Sequence, residues 1–236
     1  MEALVGISKI RKYATTESGD TVEVVERPNG GISIVLADGQ SSGKGAKWIS
    51  TLVVRKVITL LAEGVRDGAA ARAASDSLYT ERGGRVSATL NILSVDYQTK
   101  TLVITRNNPA AVLLGQNDSI TCLDEPCMPI GLYRGTRPLI TEIVLEPGIT
   151  VVAYSDGLIH AGSRYGSSMD VPTHLQSILD EEDPSAQYIA DSLLEYAIQL
   201  DRNRPVDDIS VVVLRVSGYS GDEVRRMSVR LPLNNG

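Results

Sequence analysis

The sequence predicts an α+β domain, a four-layer αββα sandwich of two packed antiparallel β-sheets flanked by helices. Three features predict it. Residues 87–155 hold short apolar strands at regular intervals with turn residues between them, which signals antiparallel pairing rather than strand–helix–strand units. Helical periodicity comes in two pairs, one before this block (46–79) and one after it (171–201). The run 209–216 is almost wholly apolar, as an interior strand covered on both faces should be.

Taken in order, a first strand is expected over 4–13, followed by a polar stretch, 14–20. Strands 21–26 and 32–37 flank Pro28-Asn29-Gly30-Gly31, and Asn-Gly between apolar runs is a hairpin signal. Over 46–63, Ile49, Leu52, Val53, Val57, Leu60 and Leu61 fall at helical spacing, and Gly64 is placed to end that helix. An Ala-rich helix over 67–79 stops at Gly83-Gly84. Strands follow at 87–95, 101–106, 110–114, 120–123, 138–145 and 150–155, then helices at 171–179 and 184–201 and the strand 209–216. We expect one domain over residues 1–216 and a tail, 217–236, whose alternation of Met227, Val229 and Leu231 with charged and small residues predicts an edge strand.

Composition excludes several classes of function. The 236 residues are 42% hydrophobic with a net charge of −6, an acidic balance that argues against a nucleic-acid or anionic-membrane surface. No apolar run is long enough to span a bilayer, and Met1-Glu2-Ala3-Leu4 does not open a signal peptide, so a cytoplasmic location is expected. Cys122 and Cys127 fit neither a redox pair nor a zinc ribbon and are expected to be packing residues. With only His160 and His174 present, a multi-histidine metal site is impossible. Metal chemistry here would need oxygen ligands, hence hard ions such as Mg2+ or Mn2+. With no Phe and one Trp, the core must be filled by Val, Ile, Leu and Ala.

Three carboxylate sites share one local context. The apolar stretch 32–37 ends in Asp38-Gly39, the stretch 150–155 ends in Asp156-Gly157, and Asp207-Asp208 opens the strand at 209. A carboxylate at the mouth of a buried strand is held rigidly, and its charge is costly unless a cation neutralises it. One Asp-Gly pair is an ordinary turn; three such sites suggest a shared purpose. Gly39 to Gly45 also looks like a phosphate-cradling loop entering a helix, but it is one residue short and lacks the Ser/Thr after its Lys44. The antiparallel middle of the chain argues against that nucleotide-binding fold.

Seven stretches, in order, carry a resemblance: Gly19-Asp20-Thr21-Val22-Glu23, Asp38 to Gly45, Ser87-Ala88-Thr89-Leu90, Asn107-Asn108-Pro109, Met128-Pro129-Ile130-Gly131, Tyr154-Ser155-Asp156-Gly157-Leu158, and Asp207-Asp208-Ile209-Ser210. Together they resemble the SpoIIE-type branch of the PPM family, metal-dependent serine/threonine phosphatases similar to protein phosphatase 2C, over about residues 5–216.

The resemblance implies a two-metal hydrolase using two Mn2+ or Mg2+ ions. Asp38 would bridge the ions, Gly39 would offer its carbonyl, and Asp156 and Asp207 would complete one shell. Glu23 would serve the second ion, with Asp20 a less certain neighbour. A water acidified by two such ions attacks phosphorus without a protein nucleophile. The implied substrate is a phosphoserine or phosphothreonine protein, by analogy a STAS-type anti-sigma-factor antagonist in bacterial partner switching. The alternative is a non-catalytic binding module of the same fold. Asp208, adjacent to the ligand Asp207, is expected to point to the opposite face and to tolerate Asn. Arg106-Asn107-Asn108-Pro109 lacks the His that the family often carries there, and His160 stands where many members have an acid, which makes it a candidate proton donor. No arginine matches the phosphate-gripping position of the eukaryotic relatives, and Arg11 and Lys12 are expected at the surface.

Overall fold

In the computed structural model, which describes residues 1–218 and 222–233, ten strands form two five-stranded antiparallel sheets. The first sheet has the order β1 (Glu2–Ile10), β10 (Ile209–Ser217), β9 (Thr150–Tyr154), β6 (Val112–Gln116), β7 (Ser119–Leu123). The second has the order β2 (Asp20–Glu26), β3 (Ile32–Gly39), β4 (Ala88–Asp96), β5 (Thr101–Asn107), β8 (Leu139–Val144). Helices α1 (Gly43–Ala62) and α2 (Asp67–Arg82) cover the second sheet; α4 (Val171–Leu179) and α5 (Ala186–Leu200) cover the first, with the short α3 (Asp156–His160) following β9.

Strand periodicity produces the layers. Along β3, Ile34 and Leu36 join the inter-sheet cluster, while Val35 and Ala37 join the cluster under α1 and α2. Along β10, Val212 and Leu214 face between the sheets, and Val211 and Val213 face α5. Both faces are covered, so these runs read as continuously apolar in the sequence, and β10 is an interior strand as expected. Ala70, Ala71 and Ala74 give α2 a thin face against the same cluster as α1, which is how a core without Phe closes its helical layer.

Two elements differ from expectation. The residues after β9 enter helix α3 directly; five residues are too few to show a helical period, so the sequence presents only an Asp-Gly turn. The tail does not pair: residues 222–233 form no strand, and Met227, Val229, Leu231 and Leu233 are exposed. A two-residue alternation creates a strand only where an edge accepts it, and here the tail is held instead by Arg225, which donates to the Gly30 carbonyl at 3.0 Å and pairs with Glu26 at 3.5 Å. The rest of the expected tail, 219–221 and 234–236, lies outside the described residues. No helix among the described residues is long and apolar enough to cross a membrane.

Candidate active site

The β2–β3 hairpin pairs Asp20 with Asp38, so both side chains leave the same face of the second sheet. That face is the inter-sheet one, because Asp38 continues the Ile34–Leu36 row. From the first sheet, Asp156 opens α3 just past β9, and Asp207 precedes β10; the two approaches are locked by the Ser155 N–H, which donates to the Ser210 carbonyl at 3.1 Å. The acids of both sheets thus meet at one end of the sandwich. Asp38, Gly39, Asp156 and Asp207 line a cavity of about 400 Å³ there, rimmed by Lys12, Gln40, Ser41, Ser42, Thr89 and Pro129.

Electrostatics is strained at this end. Burial, then the charges of Asp20, Asp156 and Asp207, push the Asp38 carboxyl up to about 9. Burial also raises Asp207, with the Asp208 N–H and Lys12 pulling the other way. Asp20 is fully buried and raised by burial; its Oδ2 accepts from the Ser210 hydroxyl at 2.6 Å, and its Oδ1 has no hydrogen-bond donor among the described residues. A buried carboxylate oxygen without a donor is a vacancy for positive charge. Lys9 and Lys47 donate to the Asp20 backbone carbonyl, at 2.7 and 2.9 Å, and the Lys9 charge offsets part of the burial cost of the Asp20 carboxyl without pairing with it directly.

An all-oxygen set of three carboxylates lining one cleft, with a fourth buried beside Asp38, fits hard divalent cations. Among the described residues, no three acids are already drawn together tightly enough to enclose an ion. The site has the charge and the donor type of a metal centre, arranged as an open cleft.

Several expectations are corrected by register. Glu23 pairs with Val35, whose side chain packs under α1, so Glu23 stands on the opposite face of the sheet from Asp38 and is exposed. Asp20 is the hairpin acid that joins the cluster. His160, exposed at the far end of α3, does not line the cavity. Lys12, expected at the surface, is half-buried on the cavity rim; its signal was the β1–β10 register, in which Ile10 pairs with Ile209 and the next residues run beside Asp207 and Asp208. Gln40 was also missed; its Oε1 accepts from the Ser87 N–H at 2.9 Å and ties the loop after β3 to the start of β4. The phosphate-loop alternative fails because β3 lies between two antiparallel neighbours.

Asp208 is the structural member of its pair. One carboxylate oxygen accepts the Lys12 N–H and the other the Gly19 N–H, both at 2.8 Å, and its backbone carbonyl accepts from the Ser155 hydroxyl at 3.3 Å. The buried side chain therefore fixes the segments beside Lys12 and Asp20, and its backbone carbonyl fixes the segment beside Asp156. The glycines of the two Asp-Gly pairs have a packing reason: a Cβ on Gly39 would lie 2.1 Å from the Ala46 carbonyl oxygen, and one on Gly157 would lie 2.1 Å from the Asp208 carbonyl oxygen.

A family model described as Stage II sporulation protein E (SpoIIE) matches residues 28–217. Stage II sporulation protein E of Bacillus subtilis (strain 168) is 22% identical over 212 residues, 89% of this chain and 25% of that protein, so the chain spans about a quarter of this relative's length. The structure of the PP2C phosphatase domain and a fragment of the regulatory domain of SpoIIE from Bacillus subtilis superposes with a TM-score of 0.78 at 20% identity, covering 92% of this chain and 64% of that one. The catalytic domain of the serine/threonine protein phosphatase PstP in complex with two manganese ions superposes at 0.69 with 18% identity, covering 92% and 99%. At these identities the structures establish the fold.

Replacing Asp208 by Asn tests its role. An amide has one acceptor where the site presents two backbone donors, so either orientation opposes an N–H to an N–H. Asp208→Asn should cost about 1–3 kcal/mol of stability, seen as a Tm lower by several degrees in metal-free buffer. An unchanged Tm would restore the tolerance of Asn expected from the sequence.

Proposed function

The chain belongs to the SpoIIE family of PP2C-type phosphatase domains, and on that premise we propose that it is a metal-dependent phosphoserine/phosphothreonine protein phosphatase. The observation that carries the proposal is that Asp38, Asp156 and Asp207, brought together from both halves of the sandwich, line a single cleft with Asp20 buried beside Asp38, and that this proximity and burial raise Asp38 to about 9.

Asp38, Asp20, Asp156 and Asp207, with the Gly39 carbonyl, would hold two Mn2+ or Mg2+ ions; Asp20 takes the part first given to Glu23. Such ions, when bound, neutralise phosphoryl charge and acidify water for in-line attack. The chain's own groups position the substrate. Lys12 brings its ammonium to the rim beside Asp207, where it meets a phosphoryl oxygen and stays clear of the carboxylates across the cleft. Ser41 and Ser42 line the cavity where α1 begins, and the free N–H groups of a helix start favour an anion there. Asp208 and Gln40 keep these segments in place. Residues 1–216 form the catalytic unit, acting in the cytoplasm; the substrate class, a phosphorylated STAS-type anti-sigma-factor antagonist, follows the branch the sequence resembles.

The purified chain should hydrolyse p-nitrophenyl phosphate and a phosphoserine peptide only with Mn2+ or Mg2+, and EDTA should stop it. Asp38→Asn and Asp20→Asn should each lower kcat/KM roughly 100-fold or more while keeping the fold, and Glu23→Gln should stay within about twofold of wild type. Turnover without metal contradicts the proposal. No turnover with any divalent ion supports the binding module instead, and a Glu23→Gln loss as large as that of Asp20→Asn would return Glu23 to the ligand set.

Lys12→Ala separates phosphate binding from metal binding. We expect a KM for p-nitrophenyl phosphate raised about 5- to 50-fold, as loss of one charge-assisted contact implies, with the Mn2+ titration midpoint unchanged. A shifted midpoint with unchanged KM would place Lys12 in the electrostatics of the metal cluster instead.

A further inference from the structure

A second cavity, of about 310 Å³, lies next to the acidic one, and the two share a rim: Met128 lines one and Pro129 the other. Its chemistry is the reverse of its neighbour's. Arg134 and Arg137 line it with the hydroxyl-bearing Tyr133 and Thr136, over an apolar floor that includes Met128 and Leu139, and no acid is among its lining residues. Neither guanidinium is in an ion pair among the described residues. Arg134 is steered by the Tyr79 ring, 5.3 Å from its centroid. The two arginines face one groove in a chain of net charge −6, while Asp76 accepts the Gly135 N–H at 2.9 Å and does not line the groove.

The segment that carries this groove, residues 124–138, is pinned from beneath. Arg106, 4% exposed and without a carboxylate partner, donates to the carbonyls of Asn108 and Glu125. Asn107, 1% exposed, donates its side-chain amide to the carbonyls of Met128 at 3.0 Å and Arg137 at 3.3 Å. Ile130 exchanges both backbone hydrogen bonds with Ala88, at 2.9 and 3.1 Å. Two buried polar side chains and a two-bond bridge thus fix where Arg137 and Met128 stand relative to the acidic cleft. This gives the Arg106-Asn107 pair, on the last strand residues of β5, a purpose that the metal cluster does not require.

We propose that this groove docks an acidic segment of the protein substrate, a carboxylate-bearing stretch flanking the phosphoserine. The inference rests on the phosphatase reading of the acidic cleft. An extended chain advances about 3.3–3.6 Å per residue, and consecutive residues Met128 and Pro129 line the two cavities, so residues flanking a phosphoserine in the cleft pass into the groove. Guanidinium groups match carboxylates in shape and charge, and the Met128 and Leu139 floor accepts the methylenes of Glu. The groove adds ground-state binding remote from phosphorus, so its effect falls on KM for peptides and not on small aryl phosphates.

The test compares two phosphoserine peptides, one with Glu at the flanking positions on both sides and one with Ala, against p-nitrophenyl phosphate, for wild type and Arg134→Ala/Arg137→Ala in Mn2+ buffer at low salt. Wild type should prefer the Glu peptide by roughly 5- to 20-fold in kcat/KM, as two exposed charge contacts allow, and the preference should shrink with added salt. The double variant should lose the preference through a higher KM and keep wild-type rates on p-nitrophenyl phosphate and the Ala peptide. Equal rates on both peptides for wild type, or a preference that survives in the variant, would overturn the docking groove. If wild type fails on p-nitrophenyl phosphate, the phosphatase reading falls, and anisotropy of a fluorescein-labelled unphosphorylated Glu peptide tests the groove alone: binding lost in the double variant supports it, and no binding to wild type at low salt overturns it.

Discussion

Four aspartates meet at one end of the sandwich, three lining the cleft and Asp20 buried beside Asp38, and the rest of the molecule's functional end is organised around the repulsion among them. Burial makes each charge costly, and proximity adds to the cost, so Asp38 is driven to about 9 and Asp20 keeps an oxygen with no donor among the described residues. Lys9 and Lys47 reach the Asp20 peptide carbonyl and leave its carboxylate unpaired. Lys12 acts on Asp207 from the rim. Lys9 and Lys12 offset only part of the cost, since burial still raises Asp20, Asp38 and Asp207, and an external cation would relieve the remainder.

The sandwich makes that condition possible. Two sheets packed face to face leave, at the ends of their strands, a narrow space lined by the residues next in the inward row. Asp38 follows Ile34 and Leu36 in that row, and Asp20 lies opposite it across the hairpin. Gly39 and Gly157 admit the Ala46 and Asp208 carbonyls to within a distance that no Cβ would allow, so α1 and the start of β10 close on the cleft. Asp208 then binds the backbone on both sides of the Lys12–Gly19 segment. Asp207, which lines the cleft, and Asp208, which holds the frame, sit side by side in sequence because adjacent residues point in different directions.

Much of this was legible in the residues. The apolar runs at 32–37 and 209–216 announced buried strands, and the two Asp-Gly pairs with Asp207 announced the acids. Choosing between Glu23 and Asp20 needed strand register. Asp20 lies nine residues before Asn29 and Asp38 nine after it, so a hairpin centred on Asn29 makes them partners and sends Glu23 to the other face. Lys12 and the two acceptor oxygens of Asp208 depend on β1 meeting β10, a contact between opposite ends of the domain that no local pattern encodes. The tail misled for the opposite reason: its alternation was real, but a strand needs an edge, and that information is not local either.

In the proposed reading the acidic cleft and the arginine groove beside it would divide recognition by charge, phosphate with cations on one side of Met128-Pro129 and carboxylates on the other. Both assignments stand on the cleft being a cation site. Diffraction at the manganese absorption edge from crystals grown with Mn2+ addresses that directly. The account predicts two anomalous peaks within the space bounded by Asp20, Asp38, Asp156 and Asp207. An empty cleft at saturating Mn2+, or a peak at Glu23 on the outer face of the sheet, would contradict it.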